Sequence, residues 1–141
     1  MRNYSLSGKI HENYIKLFHY SLTLQNGEKA TITLLQDLFL GFFNIQKEDV
    51  KDKIDYVMYL VTVADRIPEK FFGKITGTDG LFEIKIEFEG NIFRIFCCFD
   101  EGNLVVLFNG FQKKTQKTPK KEIEKALKIK KEYFDYKMKG L

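Results

Sequence analysis

The stretch LFEIKIEFEGNIFRIFCCFDEGNLVVLFNGFQKKTQKTPKKEI, Leu81–Ile123, decides the fold of this chain. Apolar and polar side chains alternate through Phe82–Phe88, and turn signals at residues 89–91 and 100–103 separate this run from two further β-rich runs. A period of two places successive side chains on opposite faces of a strand, and a glycine in a short turn joins neighbouring strands. The stretch therefore predicts three consecutive antiparallel strands, followed by a lysine-rich segment and a final helix.

The alternation of apolar and polar residues leaves two choices for the register of the first hairpin. A two-residue turn at residues 89–90 places Lys85 opposite Arg94, whereas a turn centred one residue later places Glu87 opposite Arg94. In both registers Lys85 and Arg94 share the polar face of the sheet, and Lys113 joins that face if the third strand continues. Such a basic face is typical of phosphate binding. The alternative is a solvated face whose cations pair with nearby glutamates.

Charge is distributed unevenly along the 141 residues. The whole chain has a formal charge of +4, yet residues 111–141 hold eleven lysines against four acidic residues. Residues 1–110 are therefore net negative. A basic segment on such a body indicates an anionic partner, for example nucleic acid or an acidic protein surface, or else a solubilising helix.

Cysteine and histidine usage excludes several kinds of site. The adjacent Cys97 and Cys98 lie in mid-strand and point to opposite faces, so we expect reduced thiols that do not bridge each other. His11 and His19 lie far from them in sequence, and no zinc spacing or catalytic Cys-His pair is present. We expect no cofactor. Without an apolar leader or a run near the ~18 residues of a membrane span, we expect a cytoplasmic protein with no membrane partner.

The first part of the chain is less regular. Residues 1–29 are predicted to be an N-terminal extension of uncertain structure, ahead of a domain spanning residues 30–141. Residues 21–25 and 30–34 flank an Asn-Gly turn signal and suit a hairpin. In the competing interpretation, residues 30–34 are the first strand of the domain and the earlier residues extend it.

Helical periodicity predicts three helices. Residues 36–44 carry a short apolar stripe: Leu38, Phe39, Phe42 and Phe43. Residues 47–65 carry a longer one with helical spacing: Val50, Ile54, Val57, Met58 and Val61. Thr118 and Pro119 suit the N-cap and the first position of a C-terminal helix.

The order of these elements, the run FRIFCCFDEGNLVVLFNGF and the signature NGFQKKTQKTPKKEIEKA resemble the RelE/HigB family of bacterial toxins, in its phage-derived HigB-like branch. The resemblance is strong from about residue 68 to 134, weaker from about 30 to 66, and does not cover the first thirty residues or so. It implies an α+β, RelE-like fold with a small antiparallel β-sheet, two helices on its N-terminal side and a C-terminal helix.

The resemblance also implies a function. It indicates the toxin of a type II toxin–antitoxin system, a translation-dependent mRNA endoribonuclease that acts in the ribosomal A site. Its implied partners are mRNA and a cognate HigA-like helix-turn-helix antitoxin. The rival hypothesis is a non-catalytic RelE/ParE-fold toxin, or a degenerate toxin, that acts through protein–protein binding.

Site residues carried over from the resemblance are basic. The catalytic candidates are Lys85, Arg94 and Lys113, with Arg94 expected to stabilise transition-state charge and Lys85 to contact phosphate or transfer a proton. The RNA-binding candidates are Asn109, Lys114, Lys117, Lys120 and Lys121. Glu83 stands where RelE has a second lysine, and the tyrosine and late histidine of relatives have no counterpart here. The general acid and base therefore stay unassigned.

Overall fold

The residues that the structure describes form eight strands and three helices. The computed structural model describes residues 3–9, 17–23, 29–35, 38–64, 66–106, 111–113 and 117–138. Their elements are β1 (Asn3–Lys9), β2 (Leu17–Thr23), β3 (Lys29–Leu35), α1 (Leu38–Asn44), α2 (Glu48–Val63), β4 (Phe72–Lys74), β5 (Phe82–Phe88), β6 (Asn91–Asp100), β7 (Asn103–Val106), β8 (Phe111–Lys113) and α3 (Lys120–Met138). The predicted α+β class, with two helices before the β5–β6 hairpin and one helix at the C-terminal end, is confirmed.

The strands form one sheet in the order β1-β2-β3-β7-β6-β5-β4, and β8 pairs with β6. The described pairs are antiparallel apart from β3 and β7, which run parallel. β2 and β3 pair as the predicted hairpin, with Ser21 opposite Thr31, while the Asn26-Gly27 turn signal lies outside the described residues. The sheet therefore extends further towards the N-terminus than predicted, and the division of the chain at residue 30 stays a prediction.

Two tight turns set the register of the central strands. The first turn, residues 89–90, has φ values of 49° and 80°, and the second, residues 101–102, has 50° and 83°. Positive φ at both central residues is the mark of a type I′ turn, whose twist matches that of the flanking strands. Lys85 pairs with Arg94 across the first hairpin, which is the first of the two predicted registers.

Helices α1 and α2 cover one face of the sheet. The predicted stripe of α2 is buried, and Phe39 and Phe43 of α1 are each 1% exposed. Both helices pack on alternate residues of β5 and β6: Ile84, Ile86, Phe93, Ile95 and Cys97. This is the main hydrophobic core, and it holds β5 and β6 in place.

Helix α3 packs on the opposite face. Ala126 and Tyr133 contact a second buried cluster that includes Phe96 and Cys98. Cys97 and Cys98 therefore lie on opposite faces as predicted, and both are free. Burial raises the pKa of the Cys98 thiol to about 12, so it stays protonated and unreactive at neutral pH.

The C-terminal end of α3 is fixed to the sheet at Asp100, the last residue of β6. The Tyr133 hydroxyl donates to Asp100 Oδ2 at 2.6 Å, and the Lys137 ammonium donates to the same oxygen. Burial alone would raise the pKa of the Asp100 carboxyl, but the hydrogen bonds from Lys137 and Tyr133 outweigh it and hold the pKa below its ordinary value. The carboxylate is therefore the form that anchors the helix.

Removing one donor of this anchor is expected to cost stability. Tyr133→Phe should lower the free energy of unfolding at neutral pH by about 1–3 kcal/mol, because the hydroxyl donates a hydrogen bond to a charged acceptor.

This loss should depend on pH. The pKa of Asp100 is lower in the folded state, so the stability that its carboxylate contributes is present above the unfolded-state pKa and is lost as pH falls through the folded-state pKa. Urea unfolding at neutral and acidic pH should show the difference between variant and wild type shrinking in acid. Tyr56→Phe, whose side chain is 52% exposed, is the control. An equal difference at every pH would contradict the role of the carboxylate.

Candidate active site

Three charged side chains from β5, β6 and β8 meet on the face that α3 partly covers. Arg94 Nε lies 3.8 Å from Glu83 Oε1, and the Thr118 hydroxyl donates to Glu83 Oε2 at 3.0 Å. Lys113 Nζ in turn donates to Thr118 Oγ1 at 3.3 Å. Lys113, Thr118, Glu83 and Arg94 thus form a continuous set of polar contacts, the buried polar network.

The three charged side chains of the network are buried. Arg94 is 5% exposed, Lys113 7% and Glu83 9%. Charges in such surroundings interact more strongly than they do in water, and each depends on its partners. Two of the three buried charges are positive, so the network has a net positive charge. That balance suits an anionic ligand.

Lys113 is the member of the network most suited to proton transfer. Burial lowers the pKa of its ammonium, the nearby cations Arg94 and Lys85 lower it further, and Glu83 and Glu87 oppose the shift. A lowered pKa makes the ammonium a stronger acid than an ordinary lysine. A guanidinium such as that of Arg94 suits a different task, since its planar N–H donors bind and neutralise phosphate oxygens.

Lys85 lies at the border of the network. It pairs with Arg94 across the hairpin, yet its side chain extends over β4. A Cβ atom built at Gly73 would lie 3.1 Å from Lys85 Nζ, so the missing side chain at position 73 is what lets the ammonium come close to β4. Lys85 is therefore shared between the network and the edge of the sheet.

The predicted catalytic residues are thus brought to one face, with Arg94 and Lys113 in the network and Lys85 beside it. The predicted RNA-binding residues divide into two groups. Those next to the start of α3 are exposed: Lys117, Lys120 and Lys121. Two lie outside the described residues: Asn109 and Lys114.

Sequence reasoning missed two members of the network. The alternative of a solvated face, with its cations paired to glutamates, does not hold for Glu83, which is buried and contacts both Arg94 and Thr118. The hydroxyl of Thr118 was expected to cap α3, whereas it donates to Glu83. The carbonyl of Pro119 accepts the first helical hydrogen bonds, so α3 begins after that residue. No local sequence signal separates these two roles of a threonine before a proline.

A cavity of about 690 Å³ lies elsewhere, between the α1–α2 corner and the β5–β6 turn. Its walls include Phe42 of α1 and Phe93 of β6, and none of the four network residues lines it. The buried polar network and this cavity therefore lie at different places in the fold.

The fold and the site define an α+β protein with a buried, net positive group on one face of its sheet. The chain belongs to the family Phage derived protein Gp49-like (DUF891), which matches residues 42–131. This is a family of toxin–antitoxin toxins of RelE/HigB-like character, and membership implies a cognate antitoxin. The matched segment contains all four network residues and excludes β1–β3. No curated protein and no solved structure matches the chain.

Two kinds of feature are absent from the part of the chain that the structure describes. None of its helices has the length and apolar character needed to cross a membrane. Within the same residues, no cluster of three or more His, Cys, Asp or Glu side chains could hold a metal ion.

Proposed function

We propose that this protein is a HigB-like toxin of the RelE/HigB group that cleaves mRNA during translation, held inactive by a HigA-like helix-turn-helix antitoxin. The observation that carries the proposal is the buried polar network, with Arg94 and Lys113 held on one face of the sheet in a family of toxins. RNA contains its own nucleophile, the 2′-OH, so the protein needs only to orient a phosphate, neutralise its charge and move protons.

The proposed reaction is attack of the 2′-OH on the adjacent phosphorus. A bond forms between the 2′ oxygen and phosphorus while the bond to the 5′ oxygen breaks, and the proton of the 2′-OH passes to solvent water. Arg94 supplies charge to the phosphate oxygens, and Lys113 gives a proton to the departing 5′ oxygen. Glu83 positions both cations, directly for Arg94 and through Thr118 for Lys113.

The exposed lysines near the start of α3 have a supporting part. Lys117, Lys120 and Lys121 lie next to the network and would contact the phosphates of the bound strand, a contribution that weakens as salt rises. Asn109 and Lys114 keep the same proposed role on the strength of the family resemblance alone.

A second candidate is a non-catalytic RelE/ParE-fold toxin that acts by binding a protein. The observation that favours it is the burial of Arg94, which forms an ion pair with Glu83, donates a hydrogen bond to the carbonyl of Phe93 and has little surface left for a phosphate. In this alternative the network stabilises the fold only.

Mapping of transcript 5′ ends after induction without antitoxin separates the two candidates. The ribonuclease should produce new ends within translated frames, and these should disappear in Lys113→Gln but persist in Lys128→Gln, which removes an exposed lysine of α3. Growth arrest with intact messages would instead establish the protein-binding toxin.

A further inference from the structure

A second group of cations lies at the edge of the sheet, next to the network. A depression of about 220 Å³ is lined by Lys53 of α2, by Lys70 and Phe71 before β4, and by Lys85 and Glu87 of β5. Three ammonium groups face one carboxylate there. The volume is below the roughly 300–1,000 Å³ of typical small-molecule sites, so the depression is a surface feature rather than an enclosed cofactor pocket.

The aromatic ring of Phe71 is part of the wall of this depression. Lys53 Nζ is 5.2 Å and Lys70 Nζ 4.8 Å from the centroid of Phe71. The backbone holds Phe71 in place, because its N–H donates to Pro68 and its carbonyl accepts from the N–H of Lys85. The two ammonium groups are therefore gathered around a fixed ring.

A second ring lies beside the first and faces solvent. Tyr56 meets Phe71 edge-on, with centroids 6.1 Å apart and an interplanar angle of 86°. Tyr56 is 52% exposed and follows Lys53 by three residues, so both side chains project from the same face of α2. We call Lys53, Tyr56, Lys70, Phe71 and Lys85 the lysine–aromatic cluster.

The chemistry of the cluster points to one class of ligand. Lysines contact the phosphates of a nucleic-acid strand without reading its sequence, and an exposed aromatic ring offers a surface on which an unpaired base stacks. Bases of a duplex are already stacked on their neighbours, so only a single strand can use both features at once. An acidic peptide would use the lysines but gain little from the ring.

We propose that the lysine–aromatic cluster binds one nucleotide of single-stranded RNA that flanks the cleaved bond. Lys85 lies between the network and the cluster. Its backbone pairs with Arg94 of the network, and its ammonium lies close to Gly73 of β4. The substrate strand would then run from the network across β5 to the cluster. This inference rests on the proposed ribonuclease function, because it assigns a substrate subsite to that active site.

The test is the affinity for a short fluorescein-labelled single-stranded RNA, measured by anisotropy in a Lys113→Gln background that prevents cleavage. Lys53→Gln/Lys70→Gln should weaken binding about tenfold and reduce the logarithmic salt dependence by about 0.7 per lysine. Tyr56→Leu should weaken binding about fivefold or more through lost stacking. The matched control, Lys125→Gln/Lys128→Gln, removes the same charge from exposed positions of α3 and should change affinity by less than about twofold.

The outcomes separate this inference from the function on which it rests. If the wild type cuts RNA and the Lys53/Lys70 variant binds as tightly as the control, the cluster is not a subsite and the ribonuclease stands. If binding depends on the cluster but the wild type never cuts, the subsite stands and the ribonuclease fails. Loss of affinity for the antitoxin alone, with RNA binding unchanged, would also overturn the proposal.

Discussion

Arg94→Ala is expected to lower the free energy of unfolding by about 3–5 kcal/mol, because it leaves the buried carboxylate of Glu83 without its guanidinium partner. The loss should be visible as a shift in the midpoint of urea unfolding, followed by far-UV circular dichroism. Thr118 would still donate one hydrogen bond to Glu83, but a single neutral donor compensates only part of the lost charge interaction.

Two comparisons make this prediction specific. The double variant Glu83→Gln/Arg94→Met removes both charges at similar volume and should recover at least half of the lost stability. Lys120→Ala breaks an ion pair with Glu124 in which both side chains are largely exposed, and it should leave stability almost unchanged. If Arg94→Ala costs no more than Lys120→Ala, Glu83 and Arg94 do not form a stabilising pair.

This expected loss affects how variants of Arg94 are interpreted. An Arg94→Ala protein that is no longer toxic could have lost either its transition-state charge or its fold. Lys113 offers a cleaner probe, because its removal leaves the ion pair between Arg94 and Glu83 in place and relieves the repulsion between Lys113 and Arg94.

Lys113→Gln is expected to reduce the single-turnover rate of mRNA cleavage by roughly 10²–10³-fold while the protein stays folded. Lys113→Arg retains the positive charge but not the ability to give up a proton, so it should restore only a small part of the rate. In the wild type, the rate should fall as pH rises through the lowered pKa of Lys113, because the acid form is lost. The same limb should be missing from the profile of Lys113→Arg.

The cleavage rates of two other variants test the role of Lys113. Lys128→Gln, a change of the same type on the exposed side of α3, should cleave at the wild-type rate. A Lys113→Arg protein that cleaves as fast as the wild type would show that Lys113 supplies charge only, and the general acid would have to be sought elsewhere.

Much of the central fold could be predicted from local pattern. The alternation in Phe82–Phe88 and the glycine turn limited the first hairpin to two registers, because a one-residue slip would bring core side chains to the other face. The structure has the register that pairs Lys85 with Arg94. The stripe of α2 was equally clear, since its five apolar positions have the spacing of one helix face. These features depend on neighbours in sequence.

What could not be predicted depends on tertiary contacts. Alternation assigns Glu83 to a face of the sheet, but it does not show that Thr118, thirty-five residues later, contacts it there. Similarly, Lys53 and Lys70 belong to different segments, and only the packing of α2 beside β4 brings both to Phe71. Strand β2 also escaped prediction over much of its length, because its apolar residues follow no single period.

The face of the sheet that carries the network also contacts helix α3. Helices α1 and α2 fix β5 and β6 from the far side, and α3 covers the part of the near face around Phe96. The network occupies the remaining part of this face, where Thr118 connects the start of α3 to β5. Under the proposed function, an antitoxin segment that covers the network or the lysines beside it would inactivate the toxin.

The most direct test of the central claim is the fate of a message with a single 2′-deoxy nucleotide at a mapped cleavage site, incubated with the purified protein and translating ribosomes. We predict that the all-ribose message is cut to a 2′,3′-cyclic phosphate and a 5′-hydroxyl, and that the deoxy substitution abolishes cleavage at that position. Cleavage that persists at the deoxy position, or fragments with 5′-phosphate ends, would contradict attack by the 2′-OH and with it the proposed chemistry of Arg94 and Lys113.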